Sequence, residues 1–180
     1  EYKKQFPKAE LNLQVRTPEK IVEELSQGMA NIGVTLWELL PEQTPEVLKN
    51  AGLQYETFGS HSMMAFVSQD NRFAENESVT LQELRQEQFV AYSPSYWAAT
   101  NRKIQASNEP LVMTDRENLK RLVSSGRAIA LMPETFAMHD LYCDQGLIKL
   151  IPIEGSENFS KGIDYLLYPA KRKLTLLEQN

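Results

Sequence analysis

Histidine and cysteine are scarce in this chain: its 180 residues include two histidines, His61 and His139, and a single cysteine, Cys143. A lone thiol forms no disulfide framework and no cysteine-based metal site, and it suits a reducing compartment. A hydrolase triad needs a nucleophile, a base and an orienting group, and neither histidine lies in a nucleophile or metal motif. His61 falls in a strand–turn segment, and His139 lies on a helix with no ligating residue at the next turn, so both read as ordinary packed or surface histidines. Cys143 lacks a flanking base or a helix-start setting and reads as a buried, inert thiol. The eight glycines form no phosphate-cradling loop. No apolar run approaches the roughly 18 residues that span a bilayer, so no membrane contact is expected. No signal peptide is visible in the opening Glu1-Tyr2-Lys3-Lys4. Basic charge is also short: 19 Lys and Arg stand against 24 Asp and Glu, a net charge of −5. A surface of that sign repels a phosphate backbone, so this stretch by itself is no nucleic-acid module. Carboxylates such as Glu23, Glu24, Glu75 and Glu77 stand among polar residues and read as solvated faces. Catalysis, a bound metal and a cofactor are therefore not expected.

What is present is an alternation of strand and helix patterns. Leu11, Leu13 and Val15 alternate with Asn12, Gln14 and Arg16, the period of a half-buried strand. Thr17 then suits a helix N-cap, Pro18 the first helical position and Glu19 the positive end of the dipole. Ile21, Val22, Leu25 and Met29 share one face of that helix, Gly28 lies near its end, and Ile32–Val34 forms a short strand. This strand–helix–strand unit predicts a parallel pair with a right-handed crossover. Residues 35–52, with Pro41 and Pro45, read as a long loop or irregular helix, followed by two strands, Gln54–Phe58 and Met63–Val67.

Around Ser68–Arg72 the composition turns polar, which predicts a boundary. Beyond it, Thr80 and Glu83 form a capping box ahead of Leu81 and Leu84. Phe89–Tyr92 reads as a buried strand, and Ser93-Pro94 opens a helix. Leu111–Met113 is another strand, and Thr114 with Glu117 forms a second capping box. Leu119, Leu122 and Val123 make an apolar helix face that ends at Gly126. Ala128–Met132 is a continuous apolar run of sheet-centre type, stopped by Pro133. A helix around Phe136–Tyr142, a turn at Gly146, and strands at Leu147–Ile153 and Ile163–Tyr168 complete the pattern. β–α alternation in two blocks predicts two small α/β lobes.

Several of these stretches together resemble the effector-binding domain of LysR-type transcriptional regulators. Tyr2 with Phe6-Pro7 and the Leu11/Leu13/Val15 strand are similar to that domain's opening helix and second strand. Leu25-x-x-Gly28 before Ile32-Gly33-Val34 is similar to its helix–Gly–strand segment, and Val79-Thr80-Leu81 with Leu84 to its inter-lobe helix. Leu122-Val123-x-x-Gly126-x-Ala128-Ile129-Ala130-Leu131-Met132-Pro133 resembles its most recognisable signature. Asn31 departs from the Asp the family usually carries there.

The resemblance implies a two-lobed α/β fold of the type 2 periplasmic-binding-protein kind, each lobe a mixed sheet flanked by helices. It places residues 1–68 with 164–180 in one lobe and 69–163 in the other, with an effector cleft between them. It also implies that the family's first strand and its DNA-binding helix-turn-helix lie outside this stretch. The function implied is cytoplasmic ligand sensing in a regulator that binds operator DNA through that segment and assembles as a homodimer or tetramer. The rival from another class is an extracytoplasmic solute-binding protein serving a transporter, since fold alone does not separate the two.

In open parallel sheets, ligands sit beyond the C-terminal strand ends, where helix N-termini present free N–H groups to anions. The strand ends here are Arg16-Thr17, Thr35-Leu36, Ser93-Pro94-Ser95, Met113-Thr114 and Met132-Pro133. The expected effector-binding residues are therefore Thr17, Thr35, Leu36, Ser93, Pro94, Ser95, Thr114, Met132 and Pro133, and the expected effector is a small anionic or polar metabolite. Each position also has a plainer use. Thr17, Ser93 and Thr114 stand where a helix cap belongs, and a cap needs no ligand. Arg16 suits a solvated face, Leu36 and Trp37 a cover over the core, and Met132 the core itself.

Overall fold

A computed structural model of the chain describes residues 2–37, 44–154 and 161–175. Its contacts divide the chain into two compact units, residues 1–59 with 163–180 and residues 60–162. The polar stretch Ser68–Arg72 falls inside the second unit, where β2 (Leu53–Ser68) runs into a turn.

The first unit opens with a single turn, α1 (Tyr2–Gln5), and an irregular stretch leading to α2 (Pro18–Ser26). As the sequence predicts, Thr17 caps α2, its hydroxyl accepting from the Lys20 amide, with Pro18 in the first turn. The strand expected at Leu11–Val15 is not formed. Residues 11–17 carry no strand pairing, and Leu13 and Val15 are 89% and 80% exposed. Alternation specifies which face a strand would bury, but the ladder's hydrogen bonds come from a neighbour, and none is paired here. The parallel pair with a right-handed crossover is therefore absent as well. Instead β1 (Gly33–Trp37) pairs antiparallel with β8 (Lys161–Pro169), Gly33 opposite Leu167 and Trp37 opposite Ile163. α2 lies against β1 at a distance only glycine permits: a Cβ on Gly33 would stand 2.4 Å from Ile21 Cγ2. α3 (Thr44–Asn50) leads into β2, so Pro45 lies in a helix, while Pro41 is outside the described residues. The unit's core is Leu25, Leu48, Leu53, Tyr165 and Leu167.

The two strands expected at 54–58 and 63–67 are one continuous strand, β2, because no glycine–proline turn interrupts them and Gly59 is accepted within the strand. In the second unit, β2 lies between β6 (Ala130–Pro133) and β7 (Ile148–Glu154), antiparallel to both. β3 (Val79–Thr80) adds to β7 in parallel. The alternation of side chains across these strands explains their unbroken apolar character. Met63, Ala65, Val67, Ile129, Leu131, Ile151 and Ile153 enter one buried cluster with Leu84, Phe89, Trp97 and Ile104. Phe66, Ala128, Ala130, Met132 and Ile148 enter another with Leu119 and Val123. A strand buried on both faces needs apolar residues at every position.

The helices of this unit follow their caps. Thr80 and Glu83 form the expected capping box on α4 (Leu81–Leu84). Ser93 caps α5 (Pro94–Ile104) after the two-residue strand β4 (Val90–Ala91). The second expected capping box is corrected: α6 (Arg116–Ser124) is capped by Asp115, which accepts from the Asn118 amide at 2.7 Å, one residue later than Thr114. A carboxylate outcompetes a hydroxyl at an N-cap because it carries charge toward the dipole's positive end. The helix expected at Phe136–Tyr142 is broken into a 3-10 turn, Glu134–Ala137, and α7 (Leu141–Asp144), separated by His139 at φ 59°. Asp140 restarts the helix by accepting from the Tyr142 and Cys143 amides. Among the described residues no helix is long and apolar enough to cross a membrane.

Candidate functional site

Three strand ends of the second unit share one edge. β4 pairs in parallel with β5 (Leu111–Val112), Val90 opposite Leu111 and Ala91 opposite Val112, and the Met113 amide extends the ladder to the Ala91 carbonyl. Phe89 makes a parallel bridge to Ile129, which enters β6. The chain therefore leaves β5, β4 and β6 in the same direction. There it delivers Thr114, then Ser93-Pro94, then Met132-Pro133. α5 and α6 both begin at this edge, and their first N–H groups give it a positive partial charge.

On this edge each expected residue has a definite place. Ser93 Oγ accepts from the Tyr96 amide at 3.1 Å and so serves as the cap of α5. Pro94 is exposed at the first position of α5. Ser95 lies in the same turn, with its side chain outside the described residues. Thr114 is exposed and caps nothing, which leaves its hydroxyl for another use. Met132 and Pro133 are buried at the end of β6, Met132 as part of the core cluster around Phe66.

Three of the expected residues, Thr17, Thr35 and Leu36, belong to the first unit and not to the strands of that parallel edge. Thr17 is the exposed cap of α2. Thr35 does not end a strand as expected. It lies in the middle of β1 opposite Tyr165, 3% exposed, and its Oγ1 is buried without a hydrogen-bond partner among the described residues. Such an oxygen costs about 1–3 kcal/mol if left unsatisfied, so Thr35 is not explained by packing alone. Leu36 stands opposite Asp164 in β1, with its side chain outside the described residues. Arg16 is tied to Glu24 at 3.2 Å and to the Gln14 side chain, as a solvated arginine would be.

Aromatic and cationic side chains that the sequence reading did not select surround the edge of the second unit. Tyr92 and Tyr96 stack with ring centroids 4.6 Å apart, and the Tyr96 hydroxyl donates to the Leu131 carbonyl. The Arg116 guanidinium lies 4.2 Å from the Phe136 ring centroid and 5.9 Å from that of Tyr92. Spacing does not reveal this group, because its members follow three different strands.

Behind the edge, Lys120 bridges Glu117, at 2.6 Å, and Asp140. Burial pushes the Asp140 carboxyl upward, but the Lys120 ammonium and the Cys143 and Tyr142 amides outweigh it and hold the group below the ordinary carboxylate range. Burial likewise lowers Lys120, and its two carboxylate partners more than restore it, to above the usual lysine value. The nearby Cys143 thiol is pushed up to about 11, by burial first and then by the charge of Asp140. A thiol so placed is protonated and unreactive at neutral pH. His61 is buried in β2 against Gly162, and His139 is exposed. Among the described residues no three His, Cys, Asp or Glu side chains cluster in a way that would hold a metal.

With this geometry in place, comparison with known proteins is informative. The family model described as the LysR substrate binding domain matches residues 1–179. No curated protein matches the chain. Among solved structures, the regulatory domain of CcmR from Synechocystis PCC6803, in complex with 2-PG, is similar with a TM-score of 0.74 at 16% identity, covering 99% of this chain and 82% of that one. The regulatory domain of MetR, a LysR family regulator from N. meningitidis, gives 0.68 at 17% identity, over 99% and 80%. The reduced OxyR regulatory domain from Pseudomonas aeruginosa gives 0.73 at 11%, over 95% and 79%. At such identities the structures establish the fold, that of a type 2 periplasmic-binding-protein-like α/β domain. The match to the family over almost every residue establishes more: the chain belongs to the LysR substrate binding domain family.

Proposed function

We propose that this LysR substrate-binding domain is the ligand-sensing part of a cytoplasmic transcriptional regulator, and that its small-molecule effector docks at the edge where β4, β5 and β6 end. The observation that carries the reading is the family match over residues 1–179. The parallel departure of three strands into two capped helices supports the location, since such edges collect free N–H groups and hydroxyls. Ser93, Pro94, Ser95, Thr114, Met132 and Pro133 belong to this surface, with the exposed Thr114 hydroxyl as its clearest donor. In the first unit, considered by itself, Thr35 is a separate candidate for a polar contact, because among the described residues its buried hydroxyl lacks a partner, and Thr17 and Leu36 are expected contacts of the same unit.

An effector that prefers one conformation of the domain shifts the population toward it, and that differential affinity is the signal an attached operator-binding segment reads. The regulator works on DNA as a dimer or tetramer, and the domain turns over no substrate. The reading as a transporter's solute-binding protein is set aside because the family is one of transcriptional regulators. The test is a thermal-shift screen of small organic acids, amides and amines against the 180-residue chain, then titration of hits into Thr114→Val and Thr35→Val. Each lost hydrogen bond weakens binding by about 0.5–1.5 kcal/mol. Unchanged affinity in both folded variants would place the effector elsewhere.

A further inference from the structure

We infer that Arg116 selects the effector: it presents a stacked guanidinium that takes an oxyanion group, a carboxylate or a phosphate, on the ligand. This rests on the effector surface proposed above and specifies its chemistry.

Tyr92 directly follows β4, Arg116 opens α6 after β5, and Phe136 lies in the 3-10 turn after β6. Three separate strand ends converge on one guanidinium, 4.2 Å from the Phe136 centroid and 5.9 Å from that of Tyr92. Tyr92 is itself stacked on Tyr96, whose hydroxyl is anchored on the Leu131 carbonyl, so the aromatic wall is braced from behind. A guanidinium held against aromatic rings spends none of its N–H donors on that contact, and their planar fork matches two oxygens of a carboxylate or phosphate. Stacking also restricts a long side chain in advance, so less freedom is lost when a ligand binds.

The carboxylates of the neighbouring segments make their hydrogen bonds and ion pairs to groups other than Arg116. Asp115 accepts from the Asn118 amide, Glu117 and Asp140 hold Lys120, and Glu134 accepts from the Ser62 amide. Arg116 makes no ion pair or hydrogen bond among the described residues, and its side chain is exposed. Lys120, the neighbouring cation one turn along α6, is neutralised by two acids, whereas Arg116 is held only by aromatic rings. A cation that is positioned and makes no ion pair among the described residues, beside the first turn of α6 and the exposed Thr114 hydroxyl, is complementary to an anion.

The experiment uses the 15N-labelled 180-residue chain. The Arg116 Nε–Hε resonance is identified by its loss in Arg116→Lys, then followed during titration with succinate, with inorganic phosphate and with succinamide at constant ionic strength. The expected result is a saturable shift with succinate or phosphate and none with succinamide. The apparent affinity, read at the Ser93 and Thr114 amides, should fall about tenfold or more in Arg116→Gln and less in Arg116→Lys. Response to succinate alone makes the group a carboxylate, and response to phosphate alone a phosphate. If the Ser93 and Thr114 amides respond while the Arg116 resonance stays still, or if Arg116→Gln binds like the parent, the inference is wrong and the effector surface stands. If no amide at this edge responds to any of the three, both readings fall.

Discussion

Residues 11–15 and residues 128–132 both carry apolar side chains in a strand-like pattern, yet only the second stretch builds sheet. Ala128–Met132 is bordered by Phe89 on one side and by β2 on the other, and its side chains enter two buried clusters. Leu11, Leu13 and Val15 have the alternation but no paired neighbour, and they face solvent. The difference teaches that a strand is a property of a pair. Periodicity states which face would be buried, and the neighbour decides whether it is.

The largest effect that separates the two regions is core truncation. Leu119→Ala, in the cluster that receives the 128–132 strand, is expected to lose roughly 3–4 kcal/mol, whereas Leu13→Ala should stay within about 0.5 kcal/mol. Urea denaturation of both variants checks this, and a costly Leu13→Ala would mean that 11–15 is buried in solution. Nearly as large is the cost of crowding the second unit where β8 begins. A Cβ on Gly162 would stand 1.9 Å from His61 Nε2, so Gly162→Ala should cost about 3 kcal/mol. A matching loss in thermal stability is expected, with partial recovery in Gly162→Ala/His61→Ala.

A smaller effect tests the polar support behind the second unit's edge. Asp140→Asn keeps a helix cap but weakens the bond to Lys120, and should cost about 2 kcal/mol at neutral pH. The pH dependence follows from the direction of each shift. Asp140 is depressed in the folded state, so its contribution is present above the unfolded carboxylate value and is lost as pH falls through the lower folded one. Lys120 is raised, so its contribution is present below the unfolded lysine value and is lost as pH rises through the higher folded one. Parent-minus-variant stability should therefore form a plateau at neutral pH and shrink at both extremes. A difference independent of pH would show that the pair is not the source. The smallest effect separates adjacent residues: Asp115→Ala should destabilise by about 1 kcal/mol, while Thr114→Val should change stability by less than half as much. The reverse order would return the cap of α6 to Thr114.

Sequence determined a good deal of this protein. The caps at Thr17, Thr80 and Ser93 were legible because a hydroxyl or carboxylate ahead of an amphipathic run satisfies local N–H groups, and the partners lie within three residues. The apolar run Ala128–Met132 was legible because its side chains enter two buried clusters, and burial on both faces leaves no room for polar residues. At the candidate site the sequence supplied Ser93, Thr114 and Met132-Pro133, since strand ends can be counted along the chain. Only the tertiary structure decided the rest. It chose Asp115 over Thr114, fused two expected strands into β2, left 11–15 unpaired, and placed Thr35 within β1 rather than at its end. It also gathered Tyr92, Arg116 and Phe136 from three strand ends. The physical reason is the range of the interactions. Capping and periodicity act within one turn or one strand, whereas strand pairing and the stacking of an arginine on a ring join residues far apart in the chain, and no local pattern records them.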